Sequence, residues 1–280
     1  MTLARVVTAE ALDQLAPSDP AARRSRRDLA RIHRVMATRS IIVRGWQSLV
    51  SSRDELVPLQ LRLGLPLKAA LKLPPKLPMK LPTKLPMKQP LKVLELGAGD
   101  GTLLLGVARR LGSAWPPVQL TLLDRQPVVS RATLAEYASL GWDATVQVAD
   151  VLDWAAPASG STDAPTAPRW DLISTSLFLH HFEGAQLDAV LRAVAARSPR
   201  FFACEPRRHW LALAGSHLVG ALGANAVTRD DAVLSVHAGF CGQDLGSRWP
   251  GGGTWQCREY AAGLFSHCFS AQQMPSGETT

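Results

Sequence analysis

The residues best placed to do chemistry are three glycines at alternate positions and the acid in front of them, in Val93-Leu94-Glu95-Leu96-Gly97-Ala98-Gly99-Asp100-Gly101-Thr102. An apolar strand runs straight into the glycines and then into a helix. Glycine lets the backbone turn sharply and approach a ligand with no Cβ in the way. The helix that follows offers unpaired N–H groups and the positive end of its dipole. A turn of this kind also serves dinucleotides. Two details point elsewhere. The spacing is GxGxG rather than GxGxxG, and Glu95 sets a carboxylate where a pyrophosphate would be repelled and a cationic amino-acid moiety welcomed.

Glu95-Leu96-Gly97-Ala98-Gly99-Asp100-Gly101 resembles motif I of class I S-adenosylmethionine-dependent methyltransferases, whose pattern is acidic-x-Gly-x-Gly-x-Gly. S-adenosylmethionine carries the ammonium that Glu95 would attract, and a sulfonium besides. Two further strand ends carry the resemblance. Asp124, followed by Arg125, is similar to the acid that binds both ribose hydroxyls in that family, and Ala149-Asp150-Val151 to its adenine-contacting position. The resemblance implies that Glu95, Gly97, Gly99, Gly101, Asp124, Arg125, Asp150 and Val151 bind this cofactor.

A finer resemblance is to ubiquinone/menaquinone-type methyltransferases, through Ser176-Leu177-Phe178-Leu179-His180-His181-Phe182. Ala203-Cys204-Glu205-Pro206-Arg207-Arg208 and the stretch from Tyr260 to His267 look like bacterial enzymes associated with phenolic and polyketide metabolites. The implied activity is methylation of oxygen, or of an activated carbon, on a small aromatic, quinone-like or polyketide-like metabolite of secondary metabolism. Transfer from a sulfonium is an in-line displacement with a good leaving group. The protein mainly has to align the reactants, which can supply roughly 7–11 kcal/mol.

A phenol or carboxylate nucleophile also needs a base or a cation to hold it ionised. By analogy with the family His181 is the first candidate base and His267 a weaker one, while His180 is expected to point elsewhere. Arg207 and Arg208, at a strand end, offer planar forks of donors for a phenolate or carboxylate acceptor. Trp210, Phe240 and the apolar helix at 211–222 are candidates to roof the substrate. After the fourth strand comes Ser174-Thr175-Ser176-Leu177-Phe178, with no Pro-Pro-Tyr-type turn, and the chain has no Pro-Cys nucleophile. Both absences disfavour nucleic-acid methylation.

The elements that must position these groups follow from the hydrophobic pattern. Residues 20–55 read as helical, with apolar spacing over Arg27–Met36 and Ile41–Val50. From Leu91 onward short β-rich runs alternate with helices: 92–97, 118–124, 144–150, 170–176 and 200–205, with helices through Arg110 and over about 130–140 and 184–196. That alternation predicts an α/β, Rossmann-like, mostly parallel sheet. Helices over 210–221 and 230–239 and strands over 254–260 and 264–270 would complete seven strands with an antiparallel closing strand. Residues 155–169, rich in Ala, Pro, Ser and Thr, read as a surface loop.

Between helices and sheet, Lys72 to Pro90 repeats a four-residue unit with Pro at 74, 78, 82, 86 and 90. Such a tract forbids a continuous helix or a central strand and fits polyproline II or disorder. The expected organisation is a helical cap over 1–63, a Lys/Pro linker over 64–91 and a cofactor-binding domain over 92–275.

The tract also explains the charge. The formal net charge is +8, yet all seven lysines lie between Lys68 and Lys92, and the 24 arginines nearly balance 23 acidic residues. The body is close to neutral, so the high charge is no footprint of a nucleic-acid-binding fold. Cys204, Cys241, Cys257 and Cys268 form no CxxC pair, so neither disulfide nor metal is expected. With no secretory signal, and Trp210 to Val227 too short and mixed to span a bilayer, the expectation is a cytoplasmic protein without membrane insertion, acting on a small-molecule acceptor and not on nucleic acid. Two rivals are an RNA or protein methyltransferase docking through the lysine tract, and a catalytically silent cofactor-binding partner of another enzyme.

Overall fold

The computed structural model describes residues 3–51, 89–156 and 170–274. The Lys/Pro tract and the loop expected over 155–169 fall, apart from their ends, outside these residues.

Strands β1 (Leu91–Leu96), β2 (Val118–Asp124), β3 (Trp142–Val148), β4 (Leu172–Ser176), β5 (Arg200–Pro206), β6 (Trp255–Ala262) and β7 (Ser266–Gln273) make one sheet in the order β3-β2-β1-β4-β5-β7-β6. β1 to β5 are parallel, and β7 runs antiparallel between β5 and β6. Central strands β4 and β5 are buried at every residue. A parallel sheet covered on both faces buries its central strands, here with the polar Ser174, Thr175, Ser176, Arg200 and Glu205 among the enclosed residues. The seven-stranded mixed sheet expected from the alternation is therefore present, with its antiparallel closing hairpin turning at Gly263 (φ 75°).

Helices α1 (Ala11–Gln14), α2 (Pro20–Val35) and α3 (Thr38–Ser51) precede the sheet; α4 (Thr102–Leu111), α5 (Arg131–Ser139), α6 (Val151–Ala155) and α7 (Gly184–Arg197) connect the parallel strands; α8 (Trp210–His217) and α9 (Ala226–Ala238) follow β5. One face of the sheet packs on α3 and α4 through Ile42, Trp46, Leu104 and Val107, the other on α7 through Leu187, Val190, Leu191 and Val194. α3 belongs to the sheet's own core. Its Trp46 indole donates to Ser174 Oγ at 3.2 Å, and Gly45 lies so close to the Phe202 ring that a Cβ would stand 2.1 Å from it.

Among the boundaries that differ from the sequence pattern, two are set by capping. β3 ends at Val148 because Asp150 instead caps α6, its Oδ1 accepting from Leu152 N at 2.7 Å. α9 starts early because Asn225 caps it, Oδ1 accepting from Thr228 N at 2.8 Å. α8 gives way to a 3₁₀ turn over Val219–Leu222 that stops at left-handed Gly223. Among the described residues, no helix is long and apolar enough to cross a membrane.

Candidate active site

The carboxyl ends of β1, β2 and β4 open into a cavity of about 860 Å³. Its floor is the glycine turn. Gly97, Gly99 and Gly101 all have positive φ (69°, 56° and 75°). At Gly97 a Cβ would also stand 2.1 Å from the Phe178 ring, so no other residue fits. Gly101 N-caps α4, and its carbonyl accepts from the buried Tyr137 hydroxyl at 2.8 Å.

Three acids ring this turn. Asp124, at the end of β2, is fixed by Gly99 N on Oδ2 and Gln126 N on Oδ1, both at 2.8 Å. Asp150 stands beyond β3 as the α6 cap and lines the cavity with Val151. Glu95, inside β1, is buried, and its Oε2 has no hydrogen-bond partner; Ser176 Oγ at the end of β4 is likewise buried and unpartnered. Burial, opposed by contacts with Ser176 and Ser174 and helped by the nearby Glu205 charge, pushes the Glu95 carboxyl up to about 7. A buried carboxyl whose Oε2 makes no good hydrogen bond beside a cavity is an invitation to a donor, and a cationic one suits it.

The roof is helical. α2 turns Leu29 and Ala30 toward the cavity, its C-cap Met36 joins them, and the α8 region contributes Ala212, Leu218 and Val219. α2 is joined to α9 by a polar weld: the buried Asp28 carboxylate accepts from Asn225 N at 2.8 Å, and Asn225 Nδ2 donates to Ala21 O at 3.0 Å. His33, also from α2, is buried with Nδ1 unpartnered, and burial together with the Arg39 charge lowers its pKa to about 4, so the ring is neutral.

The third wall joins β4, β5 and the amino-terminal segment. After β4 the chain takes a left-handed step at Leu177 (φ 56°), a conformation that costs a non-glycine residue about 1–3 kcal/mol. The strain is held in place by Glu205 at the end of β5. Its fully buried carboxylate accepts from Phe178 N at 3.1 Å, Leu179 N at 3.0 Å and Thr175 Oγ1 at 3.1 Å. It also meets His180 Nδ1 at 2.9 Å, while His180 Nε2 faces Glu10 Oε1 at 3.3 Å. Burial opposes a charge on His180, but hydrogen bonds and charge from Glu10 and Glu205 outweigh it and raise the imidazole to about 9. Burial likewise opposes ionisation of both carboxyls, yet the His180 contact holds each below its ordinary value. His181 lines the same cavity with Nδ1 3.7 Å from Asp13 Oδ2. Its own burial and the neighbouring His180 charge lower its pKa, leaving it a neutral base.

Of the residues singled out from sequence, Glu95, Gly97, Gly99, Asp124, Arg125, Asp150, Val151 and His181 line this one cavity, and Gly101 sits directly behind it. Arg125 reaches across to the Asp13 carboxylate at 3.4 Å. His267, Arg207 and Arg208 are not brought to the lining. His267 is buried between strands with Nε2 2.7 Å from Glu259 Oε1. Arg208 pairs with Asp244 at 2.7 Å, and Arg207 reaches Gly263 O at 3.3 Å. Trp210 points outward, more than half exposed, and Phe240 is core, whereas the helix that follows Trp210 does line the roof. His180, expected to point elsewhere, instead lines the same cavity with its ring 4.3 Å from that of His181, and it meets a carboxylate pair. Sequence reasoning misses Glu10, Asp13, Ser176 and the His180–Glu205 contact. Glu205 has a signal, an acid at a strand end like Asp124; Glu10 and Asp13 have none.

No protein-family model matches this sequence, and no curated protein is similar to it. Solved structures do resemble the fold. An O-methyltransferase family protein from Burkholderia thailandensis is 16% identical, over 67% of this chain and 52% of that one, with a TM-score of 0.42. N,N-8-amino-8-demethyl-D-riboflavin dimethyltransferase from Streptomyces davawensis is 17% identical over 66% and 50%, TM-score 0.42. Magnesium protoporphyrin IX methyltransferase from Synechocystis PCC 6803, solved with bound SAM, is 13% identical over 66% and 71%, TM-score 0.37. The chain thus matches about half the length of the first two. Likenesses this distant carry no argument about chemistry, and the fold stands on its strand order.

Proposed function

We propose that this chain is an S-adenosylmethionine-dependent methyltransferase acting on oxygen, or an activated carbon, of a small apolar or aromatic metabolite. One observation carries the reading. A buried carboxylate with a free oxygen, Glu95, lies beneath a glycine turn whose neighbouring strand ends present Asp124 and Asp150 to the same cavity. A dinucleotide pyrophosphate would be repelled there; an ammonium-bearing nucleoside is matched at both ends.

Glu95 and Ser176 would take the ammonium, Asp124 the ribose hydroxyls, and Asp150 with Val151 the base, while Gly97 and Gly99 let the backbone approach and Arg125 borders the ribose side. The cofactor supplies an electrophilic methyl. The protein's own part is placement. The apolar roof of Leu29, Met36, Leu218 and Val219 excludes water from the acceptor and suits a flat or lipidic body. Neutral His181 is poised to accept the acceptor's proton, with Asp13 to stabilise the imidazolium that results.

The deciding experiment is calorimetric titration with S-adenosylmethionine, S-adenosylhomocysteine and NAD. Micromolar binding of the first two and none of NAD is expected, followed by turnover on phenolic acceptors and loss of turnover in His181→Gln. Binding of NAD alone would falsify the reading of Glu95 and the glycines.

A further inference from the structure

Beyond the cofactor cradle, the structure assigns a divalent transition-metal site to Glu10, His180 and His181 on the wall of the same cavity. Among the described residues these form the one group of three metal-ligating side chains, their ligand atoms all within 4.8 Å of one another. Asp13 Oδ2, 3.7 Å from His181 Nδ1, adds a fourth donor at the rim.

Three features mark a built site rather than a chance cluster. The first is the second partner of His180. Its Nδ1 is held by the buried Glu205 carboxylate, which three backbone and hydroxyl donors fix in turn. Metal-binding histidines are oriented in this way, the far nitrogen bonded to a carboxylate so that the near one presents its lone pair. The second is what that lone pair meets. Nε2 lies 3.3 Å from Glu10 Oε1, where a bound cation would take the place of the proton the two share. Two ligands bound at about 2.0–2.1 Å in a tetrahedral site are separated by about that distance.

The third is preorganisation of Glu10. The next two backbone amides, Ala11 N and Leu12 N, donate to the Asp231 carboxylate at 2.8 and 2.9 Å, and Ser235 Oγ donates to Glu10 itself. Three carboxylates (Glu10, Asp13, Glu205) surround two imidazoles here, with Arg125 reaching only Asp13. Two imidazoles with carboxylate suit Zn²⁺, Fe²⁺, Co²⁺ or Mn²⁺ rather than Mg²⁺ or Ca²⁺. On the methyl-transfer reading, His181 would then be a ligand and not the base, and the ion would instead acidify the acceptor by polarising its oxygen; the binding itself does not depend on that reading.

The test is titration of tag-free, chelator-dialysed full-length protein with Co²⁺, followed by visible absorption, and with Zn²⁺ by calorimetry. One equivalent with a ligand-field band is expected, with affinity at least tenfold weaker in Glu10→Gln and in His181→Gln and unchanged in Cys241→Ser/Cys257→Ser. No saturable binding, equal binding by wild type and both ligand variants, or loss in the cysteine variant overturns the site. Because His180→Gln breaks a buried ion pair and puts folding itself at risk, the two peripheral variants decide. S-adenosylhomocysteine titration of the same samples separates the readings: cofactor binding without metal binding sinks only the metal site, and metal binding without cofactor binding sinks only the methyltransferase.

Discussion

The floor of the cavity is cut from the sheet and its roof from helices, and the two are held by different forces. Below, α3 and α4 bury Ile42, Trp46, Leu104 and Val107 against the strands, and the glycine turn leaves almost no side-chain choice. Above, α2 meets α9 through Asp28 and Asn225, and the amino-terminal segment is pinned by Glu10, Asp231 and Arg5, whose guanidinium donates to Ala238 O at 2.8 Å and to Phe182 O at 2.8 Å. Apolar burial is non-directional and large; polar pins are directional, modest in net energy and costly to leave half made. A rigid floor with a polar-pinned roof suits a site that keeps one ligand constant and admits another.

The contrast is sharpest in stability. Trp46→Ala, in the floor, should cost about 3–5 kcal/mol in urea denaturation, while Leu218→Ala in the roof, two-thirds exposed, should stay within about 0.5 kcal/mol. Equal costs would erase the distinction between floor and roof. Next comes Asp124→Ala. Each charged hydrogen bond it could offer a ribose hydroxyl is worth about 1.5–3 kcal/mol, so cofactor affinity should fall at least tenfold. An unchanged Kd would remove Asp124 from the floor's binding role.

Asp28→Ala strands the Asn225 amide and should cost about 1–3 kcal/mol, while weakening acceptor binding more than cofactor binding. Cofactor affinity falling first would show that the roof is not a separate unit. Glu95 adds a pH signature. Its pKa is raised from 4.5 to about 7 in the folded protein, so the folded state binds the extra proton. The stability it contributes is complete below about pH 4.5 and is lost as pH rises through about 7, and Glu95→Gln should flatten the denaturation midpoint across that window. Affinity for an ammonium-bearing cofactor should run the opposite way, rising with pH through about 7 in wild type only. A small gain is expected between α2 and α3, where Ala37 sits exposed at φ 55°. Ala37→Gly should relieve about 0.5–1 kcal/mol, read as a small rise in Tm.

The floor is legible in one dimension, because each of its parts is written in adjacent residues. An apolar run, a glycine at every second position and an acid at the end of the next run specify strand, turn and strand end through local backbone preference. So Glu95, the three glycines, Asp124 and Asp150 emerge together, and the closing antiparallel hairpin follows from two short strands around Gly263. The errors of reach also have a local origin. Arg207 and Arg208 do follow a strand that ends at the cavity, but β5 continues to Pro206 and delivers them past it, to Gly263 and Asp244.

The charged wall and the α2–α9 contact that holds the roof were decided by tertiary structure alone, although the helix after Trp210 was legible as roof. His180 lies 25 residues from Glu205 and 170 from Glu10, and no spacing rule links segments so distant. Glu10 reads in the sequence as one more surface acid. It becomes a half-buried partner only because the sheet order sets β4 beside β5, and the amino-terminal segment packs against His180 and α9. Strand periodicity is a property of neighbouring residues and survives without the fold. Which charges meet depends on how layers stack, and that is settled only when the chain is folded.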